Sequence, residues 1–495
     1  MAATAESSAA LGKVERTLKK AGLSAPAINA FLHNYAKLRQ GDTGLVPESD
    51  IDAVKVLPKL NDLDAGNLDA GLLRSLLKQT VVLKLNGGLG TSMGLEKAKS
   101  LLKVKGDNTF LDLIAMQVKH LGQGPNANVH FVLMNSFSTN SDTLDLLKKK
   151  HPDLSRQADL VLLQNKSPKI DAETLEPVKW KAAADLEWCP PGHGDIYPSL
   201  LGSGMLDRLA KKGFRYVFVS NSDNLGAVLS TDLLVHFAQS GAAFMMEVAE
   251  RTEADKKGGH LCRRRRDGQL ILRESAMCPD NDKASFQDVS LHKYFNTNNL
   301  WLDLEQVKAM MDQGKGVLPL PLIKNKKTVN PRDSSTPVVY QLETAMGSAI
   351  ECFPNAIAVV VPRTRFSPVK TCNDLFSLRS DAYELSPDYR VMLCSDGASQ
   401  PAGCMPCLGV GGRGAGAPPV VKLDDRYYKL VDQMEALCPP ECLPSLRECT
   451  RLEVKGPVSF SKGTTFKGKC TVVNADLNTP KQLPPGVYQD QVVNL

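Results

Sequence analysis

The segment Leu85–Ser100, LNGGLGTSMGLEKAKS, places four glycines (Gly87, Gly88, Gly90, Gly94) and two lysines (Lys97, Lys99) directly after the apolar run VVLKL at 81–85. Backbone without a Cβ lets N–H groups approach a phosphate chain, and the lysines supply positive charge. Known phosphate loops do not fit. A P-loop needs Gly-Lys-Ser/Thr, but Leu95 follows Gly94; a dinucleotide fingerprint needs a glycine where Met93 stands. A kinase loop fails at the same place, and no HRD or DFG triplet is present. The loop therefore reads as a polyphosphate binder of another plan, and an NAD-linked oxidoreductase is excluded.

Four other segments carry polar chemistry. SNSDNLGA (220–227) ends the apolar strand RYVFV, and its Asp223 suits Mg²⁺, which takes one or two carboxylates and fills its shell with phosphate oxygens and water. WCPPGHGDIYPSL (188–200) is a stiff loop around His193, able to hold a planar base or a phosphate. YFNTNNLW (294–301) offers three asparagines and a threonine at a strand start, equipment for sugar hydroxyls. PRTRFSPVKT (362–371) presents Lys370 as a point charge after a proline-stiffened turn.

The elements that position these residues follow from apolar patterning. Runs at 81–85, 129–134, 158–164, 215–220 and 242–249 are nearly continuous in apolar residues and separated by helix-length segments, the pattern of strands covered on both faces. LCRRRRDGQLILRE reads as a β-hairpin turning at Asp267-Gly268, with its four arginines as solvent-side charges. YFNTNNLWLDL (294–304) resumes the sheet, with a helix at 304–311, and AIAVVV (356–361) is a further buried strand. Lys324–Asn330 reads as a turn and QLETAMGSAIECF (341–353) as an amphipathic helix. The first 79 residues read as a helical region, with Ser24 and Pro26 opening a helix that closes near Gly41. The chain then divides into 80–385 and a β-rich 386–495, whose glycine-spaced run at 452–478 hints at β-helix turns or a small β-roll.

With 495 residues and a net charge of +6, composition is that of a multi-domain globular protein without the basic excess of a nucleic-acid or membrane-surface binder. No apolar run reaches membrane-spanning length, the N-terminal stretch lacks a signal-peptide pattern, and Val493-Asn494-Leu495 lacks the Ser-Lys-Leu address. A cytoplasmic location is expected, and the twelve cysteines read as reduced thiols. Cys404/Cys407 and Cys438/Cys442 have spacings that a structural zinc could use, but buried free thiols are the simpler reading.

Together, LNGGLGTSMG, WCPPGHGDIY, SNSDNLGA, FNTNNLW, QLETAMG and the PVK turn resemble, in order from about Val81 to Asp381, the eukaryotic-type UTP–glucose-1-phosphate uridylyltransferase family, nearest its protozoan branch. One departure is Ala98, where the family usually has proline before the lysine. The resemblance implies an α/β fold: a Rossmann-like nucleotidyltransferase domain with a mixed, mainly parallel sheet, a helical N-terminal segment and a β-rich C-terminal domain. It implies uridylyl transfer from UTP to glucose 1-phosphate with Mg²⁺. Leu85, Asn86, Gly87 and Gly88 would lie against the nucleotide, Gln164 and Gly192 would read uracil, and Asn221 and Asp223 would face nucleotide and metal. Lys99 and Lys370 would be the catalytic cations on the UTP phosphates. His193 would approach the sugar phosphate, with Gly259 (in the Gly258-Gly259 turn), Asn298 and Glu343 on the sugar. An N-acetylhexosamine or broad-range UDP-sugar enzyme is the alternative within this chemistry, and a non-catalytic nucleotide sensor is the alternative outside it. Oligomeric state stays open.

Overall fold

The computed structural model describes residues 2–63, 69–122, 129–331, 333–394 and 418–495. Helices α1 (Ala2–Lys20) and α2 (Ala25–Arg39) open the chain. α2 starts at an extended Ser24 with proline in its first turn, as its sequence dictates, and buries Ile28, Phe31, Tyr35 and Leu38. Ten strands form the central sheet: β1 (Ile51–Ala53), β2 (Thr80–Asn86), β3 (His130–Asn135), β4 (Val161–Leu163), β5 (Tyr216–Asn221), β6 (Phe244–Glu250), β7 (His260–Arg264), β8 (Leu270–Arg273), β9 (Tyr294–Asp303) and β10 (Ile357–Val360).

β4, β3, β2 and β5 run parallel in that order, and β10 runs parallel to β6. The long β9 lies antiparallel to both β5 and β6 and joins the two groups. The β7–β8 hairpin, with β1 on its edge, extends the sheet beside the start of β9. Alternate side chains separate onto two faces: Val82, Phe131, Phe218 and Trp301 join one core, Val81, Val132, Val217 and Leu300 the other. Register places Asn86 opposite Asn135 and Asn221 opposite Leu85. The polar segments after β2, β3 and β5 therefore leave one sheet edge together, where open α/β sheets bind ligands.

The first core continues into the C-terminal region through Phe376, Tyr428, Phe460 and Leu483. There, Ser445–Lys455 pairs parallel with Thr464–Val473, which pairs parallel with Gly486–Gln489 and Val492–Asn494. Val458–Phe460 pairs parallel with Lys481–Leu483. Successive parallel strands without intervening helices are β-helix coils, with Leu446, Leu452, Phe466 and Cys470 turned inward.

Three expectations are corrected. The first 79 residues are not helical throughout, because Ile51–Ala53 supplies an edge strand to the main sheet. Residues 341–353 are not one helix: Val338–Glu343 is a strand, followed by a 3₁₀ run at Met346–Cys352. Leu342, Met346 and Ile350 are all buried, so a strand entering a 3₁₀ run imitated helical spacing. The Lys324–Asn330 turn is mostly the strand Ile323–Thr328, which pairs residue by residue with Val338–Glu343. Long-range pairing overrode a lysine- and asparagine-rich composition of low strand propensity. The expected division at Leu385 falls between two paired strands, Tyr383–Leu385 and Val391–Leu393. Among the hairpin arginines, Arg264 pairs with Asp267 and Glu351, and Arg265 with Asp52. No helix among the described residues is long and apolar enough to cross a membrane.

A buried cluster ties the N-terminal segment to the sheet. Glu48 pairs with Arg273 at 2.6 Å and with His292 at 2.8 Å, and the His292 ring stacks on His260 at 3.7 Å. Among the described residues neither ring nitrogen of His260 has a hydrogen-bond partner, and burial, with His292, Arg251 and Arg273 close by, pushes its pKa down to about 2. Below pH ~6.5 the unfolded chain protonates this histidine while the folded one does not, so its stabilisation is complete above that pH and lost as pH falls. Burial also lowers His130 and His292, which act in the same sense. Asp195, pushed up to about 6 by burial, acts in the opposite sense, its share being lost as pH rises. A histidine that stays neutral when folded contributes a slope of about 1.4 kcal/mol per pH unit. Thermal unfolding should show Tm falling from pH 6.5 to 5, and His260→Phe should flatten that slope. A variant with the parent's slope would contradict this assignment.

Candidate active site

The glycine loop leaves β2 at Asn86 and turns back through two left-handed glycines, Gly90 (φ 71°) and Gly94 (φ 77°). The turn brings Lys99 to the loop's start, where its N–H donates to the Gly88 carbonyl at 3.0 Å. A Cβ on Gly88 would meet nothing within 4 Å, so this residue faces open space. One on Gly87 would lie 2.9 Å from Gln164 Oε1. Ser136 Oγ donates to the Gly87 carbonyl (2.9 Å), and Gln164 Nε2 donates to the Gly192 carbonyl (3.0 Å). Gly87, Ser136, Gln164 and Gly192 thus form one end of the site. Leu85 adjoins it, half-buried, with its carbonyl taken by Ser222 N–H. Asn86 is buried behind: its amide donates to Asn135 (2.8 Å) and Thr143 (2.9 Å) and braces the ends of β2 and β3.

At the centre, Lys99 Nζ donates to Asp223 Oδ2 at 2.8 Å and also to the Val369 carbonyl. Val369 N–H donates back to the Asp223 carbonyl (3.1 Å). Asn224 fastens the same two loops: its Nδ2 donates to the Arg365 carbonyl (3.0 Å), and its Oδ1 accepts from Ser367 N–H (3.0 Å). Lys370 follows, its backbone held by Asp374 at the N-terminus of the helix Cys372–Arg379 and its side chain exposed. Burial raises the carboxyl of Glu274, and the Lys370 charge pulls it back. A Cβ on Gly259 would lie 2.4 Å from Glu274 Oε2, so Gly259 adjoins the carboxyl that feels the Lys370 charge.

The third part forms around His193. Its Nδ1 accepts the Met346 N–H at 2.9 Å, which fixes the proton of the neutral ring on Nε2. Burial lowers its pKa to about 4, so at neutral pH this histidine is an uncharged donor. Gly192 is left-handed (φ 80°), and a Cβ there would meet the Thr344 carbonyl at 2.5 Å and Glu343 Cβ at 3.0 Å. Burial raises the Glu343 carboxyl, with Asn325 and Lys327 opposing. Asn298 sits in a β-bulge of β9 against β6, at φ 60°. A reciprocal pair of bonds with Asn296 (2.8 and 2.9 Å) holds it there.

Sequence reasoning missed the support beneath the centre. Glu247, fully buried in β6, accepts from Arg365 through both oxygens (2.7 and 2.8 Å), from Asn299 (3.0 Å) and from Trp301 (3.0 Å). The signal was visible in FMMEVA, since a lone acid inside an apolar strand needs a buried partner. Lys84, also buried, donates to Ser220 Oγ (2.7 Å) and the Ala227 carbonyl (2.6 Å). Burial chiefly, with Arg365 repulsion, takes its pKa down to about 7 against the pull of Glu247.

Among the described residues no group of three His, Cys, Asp or Glu could hold a metal. Cys404 and Cys407 lie outside them, and Cys438 and Cys442 are free thiols. Asp223 is the carboxylate at the centre, and among the described residues only its Oδ2 is hydrogen-bonded.

Comparison with known proteins places this geometry in a family. The family model of UTP–glucose-1-phosphate uridylyltransferase matches residues 28–467. The probable enzyme of that name from Schizosaccharomyces pombe is 40% identical over 410 residues, 82% of this chain and 76% of its own. The Hordeum vulgare enzyme is 36% identical over 439 residues, 88% of this chain and 85% of its own. Among solved structures, a mutant of Leishmania major UDP-glucose pyrophosphorylase in complex with UDP-glucose superposes with TM-score 0.89 at 44% identity, covering 99% of both chains. The Trypanosoma brucei UDP-glucose phosphorylase superposes with TM-score 0.86 at 45% identity, covering 98% of this chain and 100% of its own. The chain belongs to the UTP–glucose-1-phosphate uridylyltransferase family.

Proposed function

We propose that the cleft catalyses uridylyl transfer from UTP to glucose 1-phosphate, the reaction its family is named for, with the residues above in the following roles. A phosphate oxygen of glucose 1-phosphate attacks the α-phosphorus of UTP in line, the bond from the α-phosphorus to the bridging oxygen breaks, and pyrophosphate leaves with that electron pair. The nucleophile arrives ionised, so no general base is required, and the protein's task is alignment and charge compensation. The observation that carries this reading is the unbroken chain of contacts from Gly88 through Lys99 and Asp223 to Val369, with Lys370 next in sequence.

Gln164 and Gly192 hold the uracil end, Gly87 and Gly88 the ribose and first phosphate, and Asn221 the adjoining nucleotide. Lys99 and Lys370 offset phosphate charge. His193 donates its Nε2 proton to the sugar phosphate and adds no charge of its own. Asn298, Gly259 and Glu343 contact glucose hydroxyls. The donor set fits Mg²⁺: one carboxylate with an oxygen that no described residue engages suits an ion that completes its shell with water and nucleotide phosphate. Asp223 would hold it, and the ion would neutralise charge on the phosphates.

Purified protein given UTP, Mg²⁺ and a panel of sugar 1-phosphates should release pyrophosphate fastest with glucose 1-phosphate. Equal or faster turnover of N-acetylglucosamine 1-phosphate would redirect the substrate assignment, and no turnover with any sugar would overturn the reaction. Lys370→Ala should lower kcat about a hundredfold with Tm unchanged, the usual scale for losing one oxyanion-stabilising group. A kcat within threefold of the parent would remove Lys370 from the chemistry. Gly88→Ala separates site from fold, because beyond its chain neighbours its methyl group meets no atom of the described residues within 4 Å. Tm should hold while KM for UTP rises about tenfold; parental kinetics would mean that Gly88 does not face the nucleotide.

A further inference from the structure

We infer that Arg365 is a positioning residue, whose two-pronged grip on buried Glu247 sets the separation between the Asp223 loop and the Lys370 loop. This rests on the functional reading above but concerns a group outside the substrate cleft. The Arg365 guanidinium, only 9% exposed, donates to both oxygens of Glu247 and also to the Val228 carbonyl at 2.9 Å. Lys84 holds the neighbouring Ala227 carbonyl at 2.6 Å. Two buried basic side chains therefore fasten the far end of the loop that follows β5 and carries Asp223.

The backbone of the same arginine works in the other direction. Its carbonyl accepts from Asn224 Nδ2 (3.0 Å) and Asn299 Nδ2 (3.4 Å). Gly226 permits this approach, because a Cβ there would lie 2.3 Å from the Thr364 carbonyl. Arg365 thus joins β6, β9, the carboxylate loop and the lysine loop at one point.

Stability alone is a weak reason for such a group. Burying an ion pair in an apolar strand carries a desolvation cost that well-packed apolar side chains avoid. A rigid planar fork instead gives defined geometry that lysine cannot reproduce. Defined geometry is what in-line transfer between two anions demands, since a misplacement of ~1 Å costs on the order of a hundredfold in rate.

The test uses Arg365→Lys, which keeps the charge and loses the fork, and Asn224→Ala, which cuts the side-chain joint between the loops without touching the ion pair. The parent is assayed first, so that absence of UDP-glucose formation by the parent refutes the functional reading separately. For each variant, kcat per folded molecule should fall at least tenfold with KM for UTP and glucose 1-phosphate within about twofold, and the double variant should be no slower than the worse single one. Amide exchange in residues 363–371 should accelerate in both variants while β2 and β5 stay protected, a readout that needs no turnover. Unchanged kcat in the folded variants, multiplying losses in the double variant, or parental exchange at 363–371 would overturn the role. Should Arg365→Lys fail to fold, Asn224→Ala decides by the same readouts.

Discussion

Two phosphate-bearing reactants repel each other, and the site must hold cations where both can reach them without leaving a buried charge unmatched beforehand. The contact of Lys99 with Asp223 meets both demands. Lys99 Nζ lies 2.8 Å from the carboxylate, with the pair mostly shielded from solvent. Lys99 also bonds the Val369 carbonyl, so one ammonium group ties together three loops that leave different strands. Gly88, Asp223 and Lys370 owe their proximity to that junction.

Around this junction the chain uses backbone devices where side chains would not serve. Left-handed Gly90 and Gly94 fold the glycine loop back on itself, and the positive φ of Gly192 lets its loop touch Thr344. The bulge between β6 and β9 turns Asn298 out of the pleat and leaves Asn299 and Trp301 facing Glu247. At the periphery, Glu48 locks the N-terminal segment onto Arg273 and His292. The C-terminal coils share one continuous core with the sheet.

Local features were readable directly from the amino-acid order. Unbroken apolar runs announced β2, β3, β5 and β6, the Asp267-Gly268 dipeptide announced the β7–β8 hairpin, and glycine spacing marked the turn after β2 and hinted at the C-terminal coils. What stayed hidden depends on partners far away in sequence. Ile323–Thr328 is a strand because Val338–Glu343 pairs with it, and Ile51–Ala53 because β7 does. Arg365 and Glu247 are 118 residues apart, so neither reveals the other. Asn86 stands in a loop motif that promises ligand contact, yet its amide is engaged from behind by Asn135 and Thr143, which no local pattern marks.

A crystal structure of this protein with UDP-glucose bound tests the shared role of these groups most directly. The diphosphate should lie within about 3 Å of the Gly88 N–H and of the Lys99 and Lys370 ammonium groups. A diphosphate bound away from all three, with Lys99 still paired only to Asp223 and Val369, would contradict it.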